Sequence, residues 1–526
     1  MGRAALRGEY TAVAAILLLA TLLRLPWLSH LPEGLFRDEL EKGYTALELL
    51  KTARHGVLAA DGIAVSRPMP LFIEVYQGHD RTSAIYQYMT IPFVGLLGLS
   101  AWSTRIVAAL AGIAAVIATW TLGRTLGGRV VGLLAAGVLA TSPAAVIFSR
   151  WAQQGILVLP LVLLGFWLLE RATSEERRDT RNSRAIAVAG AIALGLAAYA
   201  YDPARLVVPA MVAVWLATRT RATVWGNRRA LLPAAVVFAA IAGGLLAYTL
   251  GAGSSRLGRV SVFSDGITAG LGVATGNYFA HLSPLFLFVF GDDNARHGLP
   301  GCGVLGPACS LLVGLGLIRI LFDFAGRKSR EARTGLLLLG WFLVAPLAAA
   351  LTRDGIPHAL RANMLIATGA LLAGWGAAWA FEWGANRGRQ VAAVAALSGV
   401  LAVDAGWAIG GLSRLGRVSP AAWERGVQSA LSTGLRSSGQ VYLSAEVPYA
   451  SYAALFAEAT EPSRYHELGM KALRTLIVPP GAPAPTAPGD TLVAPPRPGL
   501  PLDYYNEYVL LYEGSGRIVR PSELPR

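Results

Sequence analysis

Long apolar runs alternate with short charged segments along most of this chain. Runs of spanning length fall at 10–28, 104–123, 130–148, 154–169, 185–200, 204–218, 230–251, 303–321, 334–351, 363–381 and 390–411. A transmembrane helix needs roughly 20 apolar residues to cross the hydrocarbon core. The pattern therefore predicts a polytopic α-helical membrane protein of about eleven spans. Trp27, Trp102, Trp383 and Trp407 stand near the run ends, where an interfacial aromatic belt is expected.

Charge orients the spans. Five basic segments separate them: GRTLGGR at 123–129, RATSEERRDTRNSR at 171–184, RTRATVWGNRR at 219–229, AGRKSREAR at 325–333 and NRGR at 386–389. The positive-inside rule places all five in the cytoplasm with the N-terminus. The moderately apolar stretch 83–99 then cannot cross once, or every later basic loop would flip. It reads as an interfacial or re-entrant element of juxtamembrane helices. Arg3 and Arg7 precede the first run and no A-x-A-like site follows, so that run reads as an uncleaved span.

This arrangement exposes 29–103, 252–302, 352–363 and the tail from 413 on the extracytoplasmic face. The first loop is long enough to hold its own helices. The tail changes character, with an amphipathic run at 420–436, strand-like QVYLSA and RTLIVPP, a Pro-rich stretch at 479–501, and a hairpin pattern around Gly514 and Gly516. The expected division is a transmembrane domain over 1–412 and a small extracytoplasmic α/β or α+β domain over 413–526. No internal repeat is evident, which argues against a transporter built from duplicated halves.

Composition agrees with this reading. The chain is 54% apolar and 15% charged, against about a quarter charged in soluble domains, and its mean hydropathy is +0.49. The formal charge of +14 is spread between spans, with no aromatic-basic interleaving or zinc spacing, so nucleic acid is not an expected partner. Cys302 and Cys309 read as two small buried residues. Seven residues of helix would separate them by roughly 10 Å, too far for a disulfide. All seven histidines, His30, His55, His79, His281, His297, His358 and His466, fall on outer segments, much of it by exclusion from spans.

Three groups of residues can carry chemistry. Asp38 and Glu39 open a helix shortly after the first span; acids favour helix starts, and a placed carboxylate can also act as general base. Arg67, Arg81, Arg205, Arg296, Arg353 and Arg361 lie outside, where each can snorkel to headgroups or, with others, hold a lipid phosphate. GDDNARH at 291–297 gathers Asp292, Asp293, Asn294, Arg296 and His297. It is a good turn sequence, and its Asp and His types can also bind a divalent cation, although the spacing matches no specific metal motif.

In order and spacing, several segments resemble the membrane-embedded GT-C glycosyltransferases, specifically the bacterial relatives of protein O-mannosyltransferases and lipid A aminoarabinose transferases of glycosyltransferase family 39 type. The segments are FRDE at 36–39, GHDRTSAIYQYMTIPFVGLLGLSAWSTR at 78–105, SPAAVIFSRWAQQ at 142–154, AYAYDPARLVVP at 198–209, FLFVFGDDNARHGLPGCGVLGP at 286–307 and LTRDGIPHALRAN at 351–363. The resemblance implies a polyprenyl-phosphate sugar donor, a protein, glycan or lipid acceptor approaching from outside the cytoplasm, and a plasma (inner) membrane location. It implies Asp38 as catalytic base or acceptor-positioning acid, with Glu39 its neighbour. Arg81 stands where relatives often have Lys, and Gln153 and Gln154 where some have an acid. Arg205 and Arg361 are first candidates for the donor phosphate, with Asp292, Asn294, Arg296, His297 and His358 as further site candidates. The rival readings are a transporter or flippase for a lipid-linked sugar or small solute, and a non-catalytic scaffold. A transporter would place ionisable residues within spans, and Asp404 is the notable one.

Overall fold

The computed structural model describes residues 3–59, 62–75, 80–174, 181–251, 260–326, 329–382, 387–418, 421–447, 449–495, 510–514 and 516–519. His79, Trp383, part of the basic segment after 174 and part of the Pro-rich stretch lie outside the described residues. The chain forms two compact units. One holds 1–26, 108–149 and 154–412; the other holds 27–107, 150–153 and 413–526.

The first unit is helical. Its elements include Arg3–Arg24, Val158–Ala172, Arg181–Ala200, Ala204–Ala217, Arg228–Leu250, Cys309–Ala325, Ser329–Val344, Met364–Glu382 and Arg387–Val418. The apolar runs 104–123 and 130–148 fall on two helical segments that meet at Gly128 within Ala101–Thr141, where φ is +85°, the second run continuing into Pro143–Phe148. Only glycine enters that conformation without strain. Seven helices among the described residues are long and apolar enough to cross a membrane.

Helices with little polar surface must attract one another by close packing, and small residues permit it. Cys309–Ala325 and Met364–Glu382 do this through Gly316 and Gly376. A Cβ at Gly376 would fall 2.2 Å from the Leu312 carbonyl oxygen, and one at Gly316 would fall 2.3 Å from that of Leu372. Asp404, the acid within a predicted span, is buried and accepts the N–H groups of Ala308 (2.8 Å) and Cys309 (3.0 Å). It therefore caps the start of Cys309–Ala325, whose first N–H groups lack intrahelical partners.

The second unit is mixed. Arg37–Thr52 is followed by two antiparallel hairpins, Gly56–Ala59 with Gly62–Val65 and Phe72–Val75 with Asp80–Ser83, and then by the apolar helix Ile85–Leu97. The hairpins were not expected, because four-residue strands show too little alternation to read from sequence. Tail residues form a five-stranded sheet in the order Thr475–Val478, Val441–Ser444, Thr491–Ala494, Leu510–Glu513, Ile518–Val519. The first three strands are parallel and the last two antiparallel. Strand Thr491–Ala494 lies inside the Pro-rich stretch at 479–501, where no strand was expected. Leu35, Leu40 and Tyr44 join Val427, Leu431, Val441, Leu443 and Leu455 in one buried core, so the tail supplies the apolar surface on which Arg37–Thr52 packs.

Candidate functional site

Within the mixed unit, polar chemistry gathers at the start of Arg37–Thr52. Glu39 is wholly buried. Its carboxylate is gripped by Arg105, with Nε to Oε1 and Nη2 to Oε2 both at 2.8 Å. It also accepts the N–H of Ala152 (2.8 Å) and, reaching back as a capping-box acid does, that of Phe36 (3.0 Å). Arg105 further donates to the carbonyls of Leu28 (3.1 Å), Pro32 (2.9 Å) and Gly34. Two forked, charge-assisted bonds in a dry site form a rigid clamp.

The tail closes the same segment. Arg37 pairs with Glu424 and Glu33 with Arg425, while Gln428 bonds both backbone groups of Leu35. Trp151 packs edge-on against Phe36 and Trp423. Asp38 is thereby held from both sides. It is half-buried, and among the described residues its carboxylate accepts no hydrogen bond and joins no ion pair; only its backbone carbonyl is used, by Lys42 (3.2 Å). Sequence reasoning singled out Asp38 and Glu39 but missed Arg37, Arg105, Glu424, Arg425 and Gln428. The available signal was an arginine at the opening of an apolar run, a costly position unless a partner is present.

Arg81 belongs to this unit too. It sits opposite Glu74 in the second hairpin and pairs with it.

The helical unit assembles a different cluster. Asp292 Oδ1 accepts the N–H of Asn294 (2.8 Å), and Asn294 Oδ1 that of Arg296 (3.1 Å), so both build the turn that GDDN suggested. Asp292 Oδ2 faces His297 Nδ1 (3.0 Å) and accepts the N–H of Ala359 (2.8 Å), with His358 Nδ1 at 4.0 Å. His297 and His358 stack at 4.4 Å between ring centroids. The His358 N–H donates to His281 Nε2 (2.9 Å), whose Nδ1 meets the Asn277 carbonyl (2.7 Å), and the Arg361 N–H approaches His358 Nδ1 (3.3 Å). Each of these two rings thus accepts an N–H, which requires its neutral form. Burial, followed by the neighbouring His297, Arg361 and His281, holds the His358 pKa well below the usual value. Burial likewise lowers His281.

Donor atoms of Asp292, His297 and His358 all lie within 4.8 Å of one another. Carboxylate and imidazole suit a divalent cation with bonds near 2.1 Å, and such an ion would supply positive charge. Arg361 adjoins the cluster and forks onto Asp354 (2.9 and 3.0 Å), with a further bond to Thr352 Oγ1 (2.8 Å). Arg296 is buried beside it in sequence. Arg205 makes its contacts elsewhere, with Asp202 (2.7 Å) and Thr249 (3.0 Å).

Residues 83–246 match the family model described as dolichyl-phosphate-mannose-protein mannosyltransferase. No curated protein matches in sequence. Among solved structures, the chain is similar to ArnT from Cupriavidus metallidurans bound to undecaprenyl phosphate, at TM-score 0.54 and 14% identity over 93% of each chain. It is also similar to the apo oligosaccharyltransferase of Archaeoglobus fulgidus, at TM-score 0.57 and 13% identity, covering 85% of this chain and 64% of that one. The chain thus spans less than two thirds of the archaeal enzyme. It shares the fold of these two solved proteins. The archaeal enzyme AglB has also been solved with an inhibitory peptide and a dolichol-phosphate, at TM-score 0.53 and 12% identity, covering 88% of this chain and 64% of that one. The motifs between 36 and 363 led to an expectation of relatives of this kind, and the shared fold agrees with it.

Proposed function

We propose that this chain is an inverting glycosyltransferase that moves a sugar from a polyprenyl-phosphate donor to an acceptor on the extracytoplasmic face of the plasma (inner) membrane. The observation that carries this reading is Asp38, an open carboxylate on a segment immobilised by the Glu39–Arg105 clamp. The fold supports the donor class, since the similar ArnT and AglB structures hold undecaprenyl phosphate and dolichol-phosphate.

In this mechanism Asp38 takes the proton of an acceptor hydroxyl. The oxygen attacks the anomeric carbon, the bond from that carbon to the phosphate oxygen breaks on the opposite face, and the polyprenyl phosphate leaves with the electron pair. Arg205 and Arg361 neutralise the charge developing on the phosphate, with Arg81 as a third candidate. Each now meets a carboxylate, Asp202, Asp354 or Glu74 in turn, and a phosphate can take that partner's place. Glu39 positions Asp38 and does not touch substrate. Asp292, Asn294, Arg296, His297 and His358 form the polar surround of Arg361, with three of them able to hold a cation.

The test is Asp38→Asn in reconstituted vesicles supplied with a polyprenyl-phosphate sugar and candidate acceptors. Transfer falls by about 10²–10⁴-fold while membrane insertion and melting temperature hold. Near-normal transfer removes Asp38 from the base role, and movement of an intact lipid-linked sugar across the bilayer favours the transporter reading. The orientation belongs to the same proposal: about eleven spans, N-terminus inside, 413–526 outside. Cysteine labelling from outside at 171–184 in sealed cells would contradict it.

A further inference from the structure

Glu48 lies on Arg37–Thr52 with a carboxylate that is 0% exposed. Three donors converge on it: His55 Nδ1 at 2.8 Å, His466 Nε2 at 3.0 Å and the N–H of Gly56 at 3.2 Å. His466 belongs to the tail helix Pro462–Leu468, 418 positions away in sequence. The other ring nitrogen of His55, Nε2, lies 3.0 Å from the carbonyl oxygen of Glu74, on strand Phe72–Val75. A carboxylate and a carbonyl oxygen only accept, whereas a neutral imidazole owns a single N–H. Satisfying both partners takes two N–H bonds on one ring.

We infer that His55 is a buried imidazolium whose two N–H bonds, to Glu48 and to the Glu74 carbonyl, make a proton-dependent latch that positions the Asp38 helix for transfer. The inference rests on the glycosyltransferase reading only in its last step. Glu48 and Asp38 share one helix about 15 Å long between them, so fixing one end limits the tilt of the other. The same hairpin carries Arg81, and the same carboxylate recruits the tail through His466.

The groups facing His55 favour its charge. The Asp38-bearing helix presents Glu48 and, farther off, Glu41, itself paired with Lys42 (3.7 Å) and bonded by Gln87 (3.1 Å). The tail presents the Tyr452 hydroxyl at 3.5 Å from Nε2, with Tyr465 and His466 around Glu48 and Glu461 near Tyr44. Burial alone would lower the His55 pKa, but the Glu48 charge and hydrogen bond outweigh it and hold it above the usual value. Burial alone would raise Glu48, but the His55 charge and the bonds from His466 and His55 keep it below the usual carboxylate range. The proton therefore stays on the imidazole. A raised histidine pKa means the latch is complete below about pH 6.5 and opens as pH rises through the elevated value; a lowered Glu48 pKa means it also opens as strong acid protonates the carboxylate.

The experiment uses the full chain in detergent with ring-labelled histidine, assigning His55 by difference from His55→Gln. The expected result is an imidazolium signal for His55 at pH 7.5, absent in Glu48→Gln, where its titration midpoint falls by about one pH unit or more. In transfer assays the alkaline limb of kcat shifts downward by the same amount in Glu48→Gln while donor KM holds. A His55 that titrates at or below the value of a free imidazole overturns the latch without reference to activity, as a wild-type measurement that no misfolded variant can confuse. A charged His55 with an unshifted kcat profile in Glu48→Gln overturns its positioning role. Absence of transfer at every pH, with His55 charged, instead defeats the glycosyltransferase reading and leaves the imidazolium latch supported.

Discussion

Both units bury histidines beside carboxylates, yet they hold them in opposite protonation states. In the helical unit, His281 and His358 each accept a backbone N–H, and burial keeps both neutral. In the mixed unit, His55 meets two acceptors, and the fully buried Glu48 keeps it charged. Burial is common to the two sites and cannot explain the difference. The atoms opposite the ring nitrogens decide it, because a donor facing either nitrogen requires the neutral ring, whereas acceptors facing both nitrogens require the protonated one. Neutral imidazoles can bind a cation or shuttle a proton, while a charged one with two fixed partners serves as a fastener.

The largest expected effect in breaking this contrast lies at the other fastener of the mixed unit. Arg105→Ala strands the Glu39 carboxylate without its partner in a dry site and should cost about 3–5 kcal/mol, read as a fall in melting temperature or loss of monodisperse protein. Asp38→Asn, one residue from Glu39, should leave the melting temperature unchanged. Equal melting of Arg105→Ala and wild type would show that the clamp adds nothing to the fold.

A smaller effect distinguishes the units by pH. With the lowered pKa of His281 and His358, the unfolded chain binds the extra protons below pH 6.5, so the helical unit loses stability as pH falls through that value in chelator-treated protein. With the raised pKa of His55, the mixed unit loses stability as pH rises through the elevated value. A tenfold difference in proton affinity between the folded and unfolded chain is worth about 1.4 kcal/mol. Hydrogen exchange should therefore open peptides around 277–282 and 358–363 in acid, and those around 48–57 in alkali. Parallel behaviour of the two sets would erase the comparison.

The smallest effect concerns Asp404, which resembles the site acids in being buried but only caps a helix. Asp404→Asn should cost about 1 kcal/mol in melting experiments and leave transfer intact. A specific loss of transfer or transport would reopen the functional reading of that residue.

Much of the architecture was legible without coordinates. Apolar runs marked the helices because hydropathy is a local property, and the glycines at 514 and 516 marked the hairpin joining Leu510–Glu513 to Ile518–Val519. Strand Thr491–Ala494 and the hairpins between 56 and 83 escaped notice, since four residues hold too little pattern to outweigh nearby Pro and Gly. The two apolar runs 104–123 and 130–148 correspond to helical segments on either side of Gly128, whose non-helical backbone separates them.

The candidate site divided differently. Sequence marked Asp38 and Glu39 as a pair at a helix start, and it marked the turn at 291–297. The resemblance favoured Asp38 as the base, but nothing local in the sequence showed what partner either acid meets. Glu39 is assigned to the clamp by Arg105, 66 positions away, and by Ala152, 113 positions away. Asp38 is left open because neither reaches it. The charge of His55 depended in the same way on Glu74 and on a tail that folds back to Glu48. Local chemistry determined which residues can ionise and which segments leave water; which carboxylate is spent on a partner, and which histidine keeps its proton, was decided only when folding set distant donors and acceptors face to face.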